Sequence, residues 1–154
     1  MAKILDIVTY PAKSLNEKSK KIDLSDLEKE DFKNLIEDMK LTMIKKDGVG
    51  LAAPQIGKNI RMIVINTKDG KLCMINPEIT KKSWRNESGE EGCLSLPGVF
   101  CNIKRAKNAN CEYINPEGDK MLIEAKGFLA RVIQHEIDHL DGILLIDREK
   151  MQKK

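Results

Sequence analysis

Aromatic side chains are scarce in this sequence: one Trp, two Tyr and three Phe among 154 residues. A core must therefore be built from Ile, Leu, Val and Met, packed as aliphatic layers. Long apolar runs are missing too. None exceeds four residues, so neither a membrane-spanning helix nor a secretory signal is expected. Charge of one sign is not in excess. The 27 basic and 24 acidic residues are mixed along the chain and leave a net +3, too slight and dispersed to point to nucleic acid. The four cysteines (Cys73, Cys93, Cys101, Cys111) are even in number, but a chain with 41% hydrophobic residues does not need disulfides to fold. They are expected to be reduced, in a cytoplasm-like compartment.

What is present is an ordinary soluble balance at the length of one domain, residues 1–154. Residues 1–24 read as a lead-in that wraps the domain. Ser25 and Glu28 have the form of a capping box, and Phe32, Leu35, Ile36, Met39 and Met43 recur at helical spacing. They predict one long amphipathic helix of about 20 residues, ended by Asp47-Gly48 with Gly48 in the left-handed position. The stretch Gly48–Gln55 has almost no side-chain bulk, which lets a backbone or a ligand approach closely, although a plain turn has the same composition. Strands are predicted over 60–65 and 72–75, stopped by Asn76-Pro77, and over 109–114 and 121–125. A polar span lies between. Leu129, Val132, Ile133, Ile137 and Leu140 mark a second helix opened by Gly127 and ended by Asp141-Gly142. Ile143–Ile146 reads as a short buried strand, and 148–154 as a solvated end. No βαβ rhythm appears, so the expected class is α+β, with mostly antiparallel sheet around the C-terminal helix.

That helix carries the most specific chemical signal. Histidine occurs only twice, and His135 and His139 fall four apart with Glu136 after the first. On a helix turning about 100° per residue the two rings lie about 40° apart and can face one ion. Glu136 sits on the flank of that face, suited to act on a water rather than to be a third ligand. An open catalytic site needs three protein ligands. Only 15 residues follow His139, without a histidine or cysteine among them, and their one glutamate, Glu149, lies in a lysine-rich tail. The third ligand is therefore expected upstream. Cys73 and Cys111 sit inside apparent strands, where a small buried side chain is the default. Cys93, between Gly92 and Leu94 and after two acidic residues, is the stronger candidate, and Cys101 stays open as the other.

Gly48–Gln55, Glu91-Gly92-Cys93-Leu94-Ser95 and Gln134–His139 together resemble the three motifs of the peptide deformylases, in that family's order and at plausible spacing. The resemblance spans nearly the whole chain. It departs from many bacterial members in lacking their long C-terminal helix. It implies a metal-dependent hydrolase that removes the formyl group from N-terminal formyl-methionine of nascent polypeptides and releases formate. It further implies Cys93, His135 and His139 as ligands of one divalent metal ion, Fe2+ in the cell, with Zn2+, Ni2+ or Co2+ possible in purified protein. Glu136 would be the acid–base residue, and the Leu94 N–H and Gln55 amide the oxyanion donors. Val49, Gly50, Glu91 and Arg131 would border the substrate, and Arg105 would pair with Glu91. A monomer near the ribosome, in the cytoplasm or an organelle of bacterial descent, would follow, with no membrane or direct nucleic-acid contact. Two rivals stand beside this reading: a small zinc endopeptidase, and a non-catalytic domain whose structural metal takes Cys101 as a fourth ligand.

Overall fold

The computed structural model describes residues 1–153. Its helices are α1 (Glu30–Lys45), α2 (Gly127–Leu140) and α3 (Leu145–Gln152). Its strands are β1 (Gly50–Ala52), β2 (Met62–Thr67), β3 (Gly70–Lys82), β4 (Asn86–Cys93), β5 (Leu96–Ala106), β6 (Asn108–Ile114) and β7 (Lys120–Lys126). Five strands form an antiparallel sheet in the order β1-β2-β3-β6-β7, while β4 and β5 form a separate antiparallel hairpin. The fold is α+β. Among the described residues, no helix is long and apolar enough to cross a membrane.

Strand alternation decides which helix each side chain meets. Ile63 and Ile65 of β2 pack with Ile133, Ile137 and Leu140 of α2, whereas Met62 and Val64 pack with Phe32, Ile36, Met39 and Met43 of α1. The sheet is thus covered on both faces, which explains why four consecutive residues of β2 are buried. Burying each large aliphatic side chain of these layers is worth roughly 1.5–3 kcal/mol. A third cluster, of Leu15, Leu96, Cys101, Ile103, Leu144 and Leu145, joins β5 to the C-terminal segment.

Several sequence expectations need correction. The first helix has 16 residues rather than about 20, because a separate 3-10 turn, Leu24–Glu28, precedes it and is capped by Asp23 rather than Ser25. At its end Asp47, not Gly48, takes the left-handed conformation (φ 58°). Asp tolerates that region, and Gly48 instead lies close under Leu94, where a Cβ would be a tight 3.2 Å from Cδ1. Asn76-Pro77 does not stop β3. The strand bulges there and continues, with Asn76 at φ 50° and its side-chain amide exchanging two hydrogen bonds with the backbone of Ile22. The polar span contains β4 and β5. Residues 143–146 are no strand: Leu145 begins α3, which closes against β5. The expected solvated end is largely that helix, and its last residue, Lys154, lies outside the described residues.

Two glutamines hold the hairpin in place. Gln134 of α2 exchanges side-chain hydrogen bonds with both backbone groups of Ala106 (3.0 and 2.9 Å), and Gln152 of α3 does the same at Lys104 (2.9 Å each). The N-terminal lead-in ties two other loops together, since Val8 N–H donates to the Gln55 carbonyl and Tyr10 N–H to that of Ser95.

Candidate metal centre

One turn of α2 separates His135 from His139, and their ring centroids lie 5.1 Å apart. The hairpin brings Cys93 to them from the end of β4, where a register shift between Gly92 and Cys93 breaks the ladder. One ligand atom from each of Cys93, His135 and His139 lies within 4.8 Å of the others. Cys93 Sγ is 3.3 Å from His139 Nε2. The Phe100 ring lies against Gly92, where a Cβ would meet it at 2.8 Å and force the ring to shift. Cys101 is buried in the apolar cluster below, and among the described residues it is not part of the ligand group.

The surroundings fit a cation. His135 Nδ1 is 2.8 Å from Glu91 Oε1, a contact that fixes the ring and leaves Nε2 free for the site. Burial alone would lower the His135 pKa, but the negative neighbours Glu136, Cys93 and Glu91 outweigh it and lift it to about 10. Burial holds His139 well below its usual value, with His135 adding to the effect, so its ring stays neutral and able to coordinate. A thiol and two imidazoles are a donor set for a divalent transition metal. Glu136 is buried, its Oε1 lacks a hydrogen-bond partner among the described residues, and its Oε2 lies 4.0 Å from His135 Nε2. Burial pushes its pKa up to about 7, against the opposing charge of His135. A carboxylate poised near neutrality suits proton transfer.

Glu91 is the hub behind the Cys93, His135 and His139 group. Its Oε1 faces His135 and accepts from Arg105 Nη2 at 2.9 Å, and its Oε2 accepts from Arg105 Nε at 3.0 Å and Arg131 Nη1 at 2.6 Å. Burial would raise its pKa, but His135 and Arg105 override that and hold it at about 2. Arg131 also donates to the carbonyls of Ile103 and Glu87 (2.9 and 2.7 Å), so its guanidinium is committed to the wall.

Val49, Gly50, Gln55, Glu91, Cys93, Leu94, Arg131, His135 and Glu136 border one cavity of about 630 Å³, while His139, Arg105 and Cys101 do not line it. Gln55 reaches it from the 3-10 turn Ala53–Ile56. Its Oε1 accepts from Ala52 N–H at 3.0 Å, which orients the amide so that Nε2 donates to Ser95 Oγ (3.2 Å) and lies 3.4 Å from Cys93 Sγ. Leu94 follows Cys93, and Val49 and Gly50 form the rim beside Glu136. Phe100 and Phe128 line the mouth and are largely exposed. Neither stands out in the sequence, nor do Ser95 and Asp138, which lie beside Cys93 and His139 but whose partners, Gln55 and Arg105, are remote in sequence.

The chain as a whole is similar to known proteins. The family model described as polypeptide deformylase matches residues 4–154. The chain is 42% identical over 144 residues to peptide deformylase 1 of Bacillus subtilis, covering 92% of this chain and 88% of that one. The crystal structure of peptide deformylase from Thermotoga maritima superposes with a TM-score of 0.89 at 40% identity, over 94% of this chain and 97% of that one. A class I type b peptide deformylase from Acinetobacter baumannii, crystallised with Met-Ala-Ser bound, gives 0.91 at 32% identity over 96% and 99%. Family match, curated relatives and solved structures coincide over nearly the full length, and the chain belongs to the polypeptide deformylase family.

Proposed function

We propose that this protein is a metal-dependent hydrolase that removes the formyl group from N-terminal formyl-methionine of nascent polypeptides and releases formate. One observation carries the reading: within a deformylase fold, Cys93, His135 and His139 converge within 4.8 Å, with Glu136 buried beside them. The three residues would hold one divalent ion, Fe2+ in the cell, with Zn2+, Ni2+ or Co2+ accepted by purified protein. When bound, the ion supplies Lewis-acid chemistry, polarising a carbonyl and acidifying a water.

The chain's own groups do the rest. Glu136 takes the proton of the attacking water as the new C–O bond forms at the formyl carbon. It then delivers that proton to the amine nitrogen as the C–N bond breaks, giving formate and a free N-terminus. Gln55 Nε2 and the Leu94 N–H donate to the oxygen that gains charge. Glu91 and Arg105 keep His135 oriented. The edge strand β1 accepts the substrate backbone as an added strand through Gly50, with Val49 and the Arg131 wall beside the methionine pocket. The peptide held by the A. baumannii neighbour supports a peptide substrate. Residues 1–154 act as one such domain, a monomer working near the ribosome in the cytoplasm or an organelle of bacterial descent.

The endopeptidase rival needs a cleft for internal peptide bonds, and the structural-metal rival needs a fourth ligand, whereas among the described residues the ligand group is Cys93, His135 and His139 without the buried Cys101. Formate release from formyl-Met-Ala, compared with cleavage of acetyl-Met-Ala and of an internal peptide, separates the three. Formate from the formyl peptide alone is expected. Metal-loaded protein that releases none would overturn the enzyme reading.

A further inference from the structure

The ion pairs behind the metal centre do not end at Arg105. Its third nitrogen, Nη1, donates to Oδ2 of Asp138 at 2.6 Å. Asp138 lies on α2 between the two histidines and is buried. It is held from the far side by Arg148 of α3, which donates through Nη2 to Oδ1 at 2.6 Å and through Nε to Oδ2 at 3.1 Å. An unbroken line therefore runs Arg148–Asp138–Arg105–Glu91–His135, alternating in charge as far as the imidazole.

We infer that Arg148 is a positioning residue for the metal centre, acting from the C-terminal helix through Asp138 and Arg105 on Glu91 and His135. The inference rests on Cys93, His135 and His139 being the metal ligands. Arg105 divides its donors, two to Glu91 and one to Asp138. That division holds only while Asp138 has a second cation. Without Arg148, Asp138 Oδ1 loses its side-chain donor and a buried carboxylate is left with half its partners, a costly arrangement. Arg105 is then drawn towards Asp138, and its paired grip on Glu91 loosens. Glu91 in turn fixes the ring of His135. The Arg148 contact is built for this. It is bidentate, its guanidinium matches the planar carboxylate, and α3 is anchored by Leu144 and Leu145 in the core and by Gln152 on β5.

Arg61 provides the control. It also bonds to the end of α2, through Nη2 to Asp141 Oδ1 and Nη1 to the Leu140 carbonyl (2.9 Å each), but neither contact leads to Glu91. The experiment compares full-length wild type, Arg148→Met, Arg148→Lys and Arg61→Met. It measures Co2+ affinity by chelator competition, the absorption bands of the bound Co2+, and the thermal midpoint of the metal-free protein. Partners that orient a metal ligand are worth ~10–100-fold in affinity. Arg148 acts three contacts further out than Glu91, so Arg148→Met is expected to weaken Co2+ binding about tenfold, the low end of that range, and to shift the bands. Arg148→Lys should fall between it and wild type, because an ammonium restores the charge but not the paired donors. Arg61→Met should lower the thermal midpoint and leave affinity and bands unchanged. If Arg148→Met fails to fold, Arg148→Lys decides: weakened binding supports the inference and wild-type binding overturns it. Wild-type affinity and bands in Arg148→Met, or equal weakening in Arg61→Met, would also overturn it. A wild-type protein that took up no Co2+ would overturn the metal-centre reading, and this inference with it.

Discussion

Gly50 lies so close to Glu136 that a Cβ added to it would sit 2.7 Å from Oε2 and 2.9 Å from Cγ. The backbone of the edge strand β1 is therefore one wall of the Glu136 carboxylate, the group proposed to carry the proton. Gly50→Ala must push Glu136 out of place or move the strand. A misplacement of about 1 Å near reacting atoms costs roughly 10²-fold in rate. The variant is expected to bind metal as wild type does and to lose formate release by about that factor. Steady-state kinetics beside metal analysis checks it, and full activity would mean that the position of Glu136 is unimportant.

Removing the carboxylate's charge isolates its chemistry. Glu136→Gln keeps the shape but cannot take a proton, so kcat is expected to fall by ~10²–10⁴ with the metal retained. Loss of metal in the same variant would instead make Glu136 a ligand.

Gln55 makes a separate case. Its Nε2 lies 3.4 Å from Cys93 Sγ and its carbonyl is pinned by Ala52 N–H. As an oxyanion donor it is worth ~10²–10³ in rate, so Gln55→Ala should cripple turnover without releasing metal. Unchanged turnover would remove Gln55 from the mechanism.

Glu91 gives a pH signature in the metal-free protein. Its folded pKa of about 2 lies below the ordinary 4.5, so the folded state binds fewer protons between these values. Its stabilisation is complete above about pH 4.5 and is lost as pH falls towards 2, a difference on the order of 3 kcal/mol. Glu136, held at about 7, is protonated throughout that window and does not contribute. Denaturant unfolding at several acid pH values should therefore show a steeper fall for wild type than for Glu91→Gln. Parallel slopes would mean that the Glu91 cluster does not persist in the metal-free fold.

These residues were unequally legible in the sequence. His135, Glu136 and His139 stand on one helix, where a spacing of four fixes their common face whatever the rest of the chain does. The residues alone leave Cys93 and Cys101 both open, because the meeting of Cys93 with α2 depends on a hairpin whose strand β4 (Asn86–Cys93) is mostly polar and exposed and gives no apolar alternation. The run Ile143–Ile146 misled for a different reason: four apolar residues fit a buried strand or a helix start equally well. Here Leu144 and Leu145 fill the third cluster and Asp147 accepts from the Leu144 N–H at 2.9 Å, which begins α3. Arg148 looked like part of a solvated end because its partner, Asp138, is reached only once Gly142, at φ 76° and packed on the Asn16 carbonyl, turns the chain back.

Hydrolysis of a formamide with metal held by Cys93, His135 and His139 is tested most directly by metal loading. Protein purified without air and loaded with Fe2+, Zn2+, Ni2+ or Co2+ in turn should release stoichiometric formate from formyl-Met-Ala, while Cys93→Ala should lose both metal and formate. Metal-replete wild type that releases no formate, or Cys93→Ala that keeps its metal and its activity, would contradict it.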